Sequence, residues 1–487
     1  MRNSVSKVAK FVLVSVVAIG CGADGNNKKK PKPAPVGTAK DLKDFRNDYF
    51  LEDKDCIVQS ESIPLSEMKV RQWAGSGTEE LVVKTTGVTG SPVLSGPVVA
   101  DTYVSHLKHE YWIEGSGGRV YDRDKSEFNP PVPLKVCNPK GDYQRNSYEG
   151  VALTGLYFIE KAYNYFYKIT GGDALPKVNF FVLPEIRVFT TYESGPLSGE
   201  QEEMSFENNL TYIDNYYSRP SIMVHPNTQS PVDDLSGNNL WETEWGMAHE
   251  FGHHVLTTLS GYSKGDFSAS IVDSVFIDSH SDVNLLLATE APTMSGLRRV
   301  GAKDAWGAFN EAFADLYGFY SAGKKPKLME GLKCFGASRD VLSEDFTNGE
   351  LKRITDYNYD TFYSTSRVQG QGCSGANFQS IHSVGAVIAH GLHKLHEVSG
   401  STQDPGEKLM VLGRIMKNFV ATRNKRFTLA DLIGEGIKVF ASRDEISTGA
   451  TILPLTSTIP QSACETAGSI FPGILAEFGA SSPIKCQ

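Results

Sequence analysis

The sequence predicts an α+β fold with a β-containing N-terminal part and a mainly helical C-terminal part. Three observations carry this expectation. Residues 41 to 145 alternate apolar and polar side chains in short runs such as "EELVVKTT", "GPVVADTYVSHL" and "GRVYDRD", broken by Gly, Pro and Ser, which is the period of half-buried strands. From Ser147 the period changes, and Val151, Leu153, Leu156, Ile159, Ala162, Tyr163, Phe166 and Tyr167 recur at helical spacing until "ITGG" at 169–172 stops the run. The second half carries further helical patterns at 238–259, 304–322, 381–397, 405–422 and 428–440, the last opening on the capping-box-like "TLAD".

The chain starts with Arg2, Lys7 and Lys10 followed by the apolar run "FVLVSVVAIG". That run is too short to anchor in a bilayer and fits a signal peptide over residues 1–20. It ends on "AIGC", which resembles the lipobox of bacterial lipoproteins, with Ala18 where an aliphatic residue is usual. The resemblance implies acylation of Cys21 after cleavage, and Gly22 in place of Asp gives no signal for inner-membrane retention. The expected location is the cell envelope, lipid-anchored at the outer membrane or surface of a bacterium; an ordinary signal and a secreted chain are the alternative. Residues 21–40, rich in Lys, Pro and Gly, read as a flexible tether. No later segment has 18 uninterrupted apolar residues, so membrane attachment rests on the lipid alone.

At 487 residues, with 40% apolar and 22% charged side chains, the chain can fill two or more domains. The expected division is a β-rich region at 41–145, either a pro-segment or an integral subdomain, a core at 146–322 with an insert at 260–303, and a helical region at 323–487. Loss of the signal leaves 45 basic against 57 acidic side chains, a net charge near −12, which argues against nucleic acid as a partner. Beyond Cys21 there remain Cys56, Cys137, Cys334, Cys373, Cys464 and Cys486, an even set suited to three disulfides in an oxidising compartment. Neighbour pairing, 56 with 137, 334 with 373 and 464 with 486, is the expectation, although spacing alone does not fix connectivity.

Within the core a strand, "KVNFFVLP", follows the long helix, and "SIMVHP" from Ser221 reads as another. Then comes "WGMAHEFGHHVL", Trp245 to Leu256. On a helix, His249 and His253 lie one turn apart on one face and can present two imidazole nitrogens to one point. Glu250 projects about 100° away, where it can reach a water on a metal without ligating it. "HEFGH" is thus an HExxH motif, with two nitrogen ligands on one rigid element and a carboxylate base beside them. His254 faces elsewhere and reads as a neighbour. A third ligand is needed. The position six residues after His253 is Leu259, which excludes the third histidine of metzincins. "AFNEAFADLYGFY" offers Glu311, with Asp315 one turn on and able to hold a ligand histidine by a hydrogen bond.

HExxH followed by "NEAFAD" resembles the gluzincin pattern of thermolysin-like and fungalysin-like metallopeptidases. The resemblance implies a zincin fold with its active site in a cleft between the two parts, one Zn2+ per chain held by His249, His253 and Glu311, and protein or peptide substrates. "SIHSVGAVIAHGL" resembles the segment that carries the family's transition-state histidine, which places His382 at the start of a helix as donor to the oxyanion. "NNLTYIDNYYSRPSIMV" resembles the family's substrate-holding strand, with Asn209 as candidate.

The chain departs from the family in three places. The 57 residues between His253 and Glu311 exceed the usual gap, and the insert would lie near the cleft. No carboxylate lies in the five residues before His382, so Asn377 would orient it without charge. The tyrosine partner of that histidine is not fixed by spacing, and Tyr262 is the candidate. Glu290 rivals Glu311 as ligand, but Pro292 would break its helix and no acid follows one turn on. His390, His393 and His396 share helical spacing and read as satisfied histidines before they read as a second metal site. Acidic clusters at Asp273, Asp278 and Asp282, or Asp233 with Asp234, could bind Ca2+, yet no EF-hand spacing supports it. The expected function is that of a zinc metalloendopeptidase. Its rivals are a catalytically silent surface lipoprotein used for binding or adhesion, and a hydrolase of peptide cross-links in cell walls.

Overall fold

A computed structural model describes residues 62–74, 77–104, 109–114, 119–122, 131–143, 147–183, 186–191, 201–206, 209–225, 240–267, 302–324, 341–342, 381–425, 427–443, 458–471 and 484–487. The fold is α+β, with helices and sheets both present. Two compact units divide it: the described residues up to Asn164 with Pro176–Glu250, and Tyr165–Leu175 with those from Phe251 onward. The division runs through the expected core at 146–322 and not at its end.

The first unit holds β1 (Ile63–Pro64), β2 (Glu67–Trp73), β3 (Thr78–Lys84), β4 (Thr89–Ser91), β5 (Val99–Val104), β6 (His109–Glu114), β7 (Arg119–Asp122), β8 (Val132–Pro133) and most of α1 (Tyr148–Ile169). After α1 come β9 (Val178–Val182), β10 (Ile186–Thr191), β11 (Gln201–Phe206), β12 (Asn209–Tyr216), β13 (Arg219–His225) and a 3-10 turn at Leu240–Glu242. A five-stranded sheet runs β12-β13-β9-β5-β8, and β9 lies parallel to β13 on one side and to β5 on the other. All five side chains of β9 are buried, as a central strand covered on both faces requires, and four of the five are apolar, with Asn179 the polar exception. Phe180 of β9 sits against α1 at Gly155, where a Cβ would meet its ring.

The β2–β3 hairpin is tied to its surroundings by polar contacts. The Arg71 backbone N–H donates to Thr154 Oγ1 of α1 at 3.1 Å, and Thr78 Oγ1 donates to Glu242 Oε2 at 3.1 Å. Lys69 Nζ bridges Glu80 at 2.7 Å and Asp142 at 2.8 Å. β12 turns into β13 through Tyr217 and Ser218 at φ 53° and 64°, the two left-handed residues of a tight hairpin turn.

In the second unit, α2 (Glu244–Ser260), which begins in the first, is followed by α3 (Ala302–Ser321), α4 (Ile381–Ser399), α5 (Pro405–Thr422), α6 (Leu429–Phe440) and α7 (Gln461–Ile470), with β14 (Thr458–Ile459) parallel to β15 (Lys485–Cys486). α2 starts later than the 238 expected. Thr243 caps it: its Oγ1 accepts from Gly246 N–H at 3.2 Å and donates to the Leu240 carbonyl at 2.6 Å, which closes the preceding residues into the 3-10 turn. α6 opens with the capping box read from "TLAD": Asp431 N–H donates to Thr428 Oγ1 at 3.2 Å and Thr428 N–H to Asp431 Oδ2 at 2.8 Å. α5 begins at Pro405 behind Asp404, whose Oδ1 accepts from Gly406 N–H at 2.7 Å.

Cys464 and Cys486 form a disulfide, Cα–Cα 5.9 Å, tying α7 to β15. Cys137 is also disulfide-bonded; Cys21, Cys56, Cys334 and Cys373 lie outside the described residues. Among the described residues no helix is long and apolar enough to cross a membrane.

β5 is interior to the five-stranded sheet and pairs with β9, so a strand from before α1 is built into the sheet that β9, β12 and β13 form. A chain beginning at Ser147 is therefore expected not to fold in its first unit. Circular dichroism and a urea melt test this, and a cooperative, wild-type-like melt of such a fragment would show the N-terminal region to be separable.

Candidate metal centre

The apolar positions of α2, Trp245, Ala248, Phe251 and Val255, are all buried, and so are His249, Glu250 and His253. Buried polar groups are costly unless something engages them. The ligand atoms of these three lie within 4.8 Å of one another, a group that could hold a metal ion. It is the one such cluster of three or more among the described residues.

His253 is oriented from α3. Its Nδ1 lies 2.9 Å from Asn310 Oδ1. A side-chain amide oxygen only accepts, so Nδ1 carries the proton and Nε2 keeps its lone pair for a ligand. That Nε2 lies 3.7 Å from Glu311 Oε1. His249 Nε2 lies 4.0 Å from Glu250 Oε1, and its ring stacks on Trp245. Each imidazole thus has a carboxylate beside its Nε2. The hydrogen bond of His253 Nδ1 goes to Asn310, which the sequence offers only as part of the motif, and Asp315 is fully buried one turn beyond Glu311 on α3. Asn310 precedes Glu311 and points about 100° away from it, the signal that could have marked it.

Two glycines fix where α3 runs. A Cβ on Gly252 of α2 would lie 2.9 Å from Ala314 Cα and 3.0 Å from Tyr317 Cβ. A Cβ on Gly385 of α4 would lie 2.6 Å from Glu311 Cβ and 2.9 Å from the Ala308 carbonyl oxygen. Both crossings bring helix backbones closer than any larger residue permits.

The remaining candidates fall as follows. His382 is the second residue of α4, as its segment led us to expect, and its side chain lies outside the described set, as do Asn377, Glu290 and the five aspartates considered for Ca2+. Asn209 opens β12 opposite His225, its side chain likewise not described. Tyr262 packs with Phe267, ring centroids 5.9 Å apart, and under Lys425 Nζ at 5.5 Å. His254 is buried edge-on to Phe251. Two of the three α4 histidines expected to be satisfied are so: His390 Nδ1 donates to the Val341 carbonyl at 2.9 Å, and His393 pairs through Nδ1 with Tyr320 Oη at 3.2 Å and through Nε2 with Glu397 at 3.5 Å, whereas His396 Nδ1 is buried without a hydrogen-bond partner among the described residues.

Burial pushes His393 down to about 4, aided by His396, Lys324 and Lys394 and opposed by Glu397. Burial likewise lowers His396 to about 4. Between an ordinary histidine value near 6.5 and 4 the unfolded chain binds more protons than the folded one, so stability is full above about pH 6.5 and falls as pH drops towards 4. The urea midpoint is expected to fall over that window, and to fall less in His393→Asn, where the amide replaces Nδ1 without titrating; identical pH profiles would refute the assignment. Gly385→Ala is expected to lower stability by about 1–3 kcal/mol through overpacking against Glu311 and Ala308, measured by urea unfolding at pH 7; a neutral result would show that the crossing can relax. Compared with known proteins, the chain matches no family model, no curated protein and no solved structure.

Proposed function

We propose that the protein is a zinc-dependent endopeptidase of the gluzincin type on a zincin scaffold, exported and lipid-anchored at Cys21, with His249, His253 and Glu311 as metal ligands. The observation that carries this reading is the buried His249–Glu250–His253 group with Glu311 beside the unprotonated face of His253. The donors suit zinc, which takes imidazole nitrogen and carboxylate oxygen in tetrahedral geometry at about 2.0–2.2 Å, so that ligand atoms stand about 3.4 Å apart. The 3.7 Å between His253 Nε2 and Glu311 Oε1 needs only a small adjustment to meet this. Two carboxylates flank the imidazoles, and we divide their work by position. Glu311 comes from a separate helix and completes the ligand set; Glu250 shares a helix with both histidines and holds its carboxylate 4.0 Å from His249 Nε2, within reach of a water at the same point.

Zinc at this place would supply Lewis acidity to a water and to the scissile carbonyl. Glu250 accepts the water's proton and returns it to the leaving amine. Asn310 holds His253 in the tautomer protonated at Nδ1, so that Nε2 is the ligating nitrogen. His382, at the start of α4, is assigned the hydrogen bond to the oxyanion, a contribution of about 3 kcal/mol where such donors are preorganised.

Glu250→Gln is expected to keep its metal and to lose about 10²–10⁴-fold in peptide hydrolysis, whereas Glu311→Ala is expected to lose the metal. Elemental analysis and a peptide-library assay with and without chelator measure both. Unchanged hydrolysis in the first variant, or full occupancy in the second, rejects the assignment. A wild type that binds metal and cleaves no peptide favours a surface lipoprotein used for binding.

A further inference from the structure

His253 is held by a hydrogen bond from another helix. His249 has a different support. Trp245 precedes it by four residues, one turn, on the same face of α2. Side chains on a helix lean towards its N-terminus, so the His249 imidazole lies back over the turn that carries the indole. Their ring centroids are 5.0 Å apart with an interplanar angle of 29°, within the offset-stacked range for aromatic pairs. Trp245 is 4% exposed and His249 3%, so the stack is dry.

We infer that Trp245 is a positioning residue for His249, an aromatic plate that fixes the plane of the imidazole and favours it when it carries a metal's charge. The inference rests on the metal reading above. Two physical effects support it. A ring stacked at 29° on a buried indole cannot turn far about its terminal torsion without losing the contact, so its lone pair is aimed before any ion arrives. A cation bound to the imidazole withdraws density from that ring, and the electron-rich indole face attracts a positively polarised partner. The two histidines of the motif are thus oriented by unlike devices, an amide acceptor for one and a π surface for the other, and these are expected to fail differently on substitution.

Trp245→Phe keeps an aromatic face and Trp245→Leu removes it. In the full chain, with apo urea midpoints recorded as a check on folding, Zn2+ and Co2+ affinities are measured by competition with a chromophoric chelator. Trp245→Leu is expected to bind each ion about tenfold more weakly or worse, the usual cost of losing a ligand's support, and Trp245→Phe to stay within about threefold of wild type. Co2+ should also quench tryptophan emission in the wild type, and Trp245→Phe should lose at least about half of that quenching, because the Trp245 indole stacks on a ring that would ligate the ion. Equal affinity in wild type and Trp245→Leu, or quenching unchanged in Trp245→Phe, overturns the inference alone. Should Trp245→Leu fail to fold, the quenching arm decides. A wild type that takes up neither ion overturns the metal reading itself, and this inference with it.

Discussion

A carboxylate on one helix can face an imidazole on another only if the helix backbones are held at a fixed and short distance. In this chain that distance is set where α3 passes Gly252 of α2 and Gly385 of α4. Hydrogen takes the place of a methyl at both crossings, and the neighbouring atoms are backbone or Cβ atoms that cannot swing aside. Glu311 sits at the second crossing, so the contact that lets α4 approach also fixes the Cβ from which the carboxylate projects. The position of Glu311 beside His253 follows from this packing and from the tautomer that Asn310 imposes.

The same physics governs the other polar groups buried in the second unit. Lys408 is fully buried on α5, and its ammonium is received by the carbonyls of Phe440 at 3.3 Å and Ser442 at 2.6 Å, at the C-terminal end of α6. Helix ends carry unsatisfied carbonyls and partial negative charge, which suits a cation. Burial lowers the Lys408 ammonium to about 8. His390 and His393 are each taken up by a carbonyl, a phenol or a carboxylate. These groups look in sequence much like the histidines of α2. The α2 group differs in that its ligand atoms also converge on one another.

In the first unit the alternating N-terminal third is joined to later parts of the chain. β5 is interior to a sheet in which β9, β12 and β13 come from after α1, and the β2–β3 hairpin reaches α1 through Arg71 and the turn before α2 through Thr78. The foundation of the helix that carries the HExxH motif is therefore laid partly by residues more than 150 positions upstream, as the 164-residue separation between Thr78 and Glu242 illustrates.

Sequence by itself determined what depends on neighbours along the chain. Helical periodicity placed α1 to α6 but not α7, "TLAD" announced the cap of α6, "KVNFFVLP" marked the strand β9, and His249 and His253 shared a face because four residues make one turn. The Trp245 stack obeys the same rule and was legible in principle, since it too is an i, i+4 pair; it was passed over because an aromatic at that spacing reads first as core. Tertiary structure alone decided which residue holds His253, where α3 runs, and that β5 enters the central sheet. Asn310 is 57 residues from its histidine. No periodicity spans such a gap, because the contact is made when two helices pack, and packing is settled by the shapes of all the side chains and glycines between them.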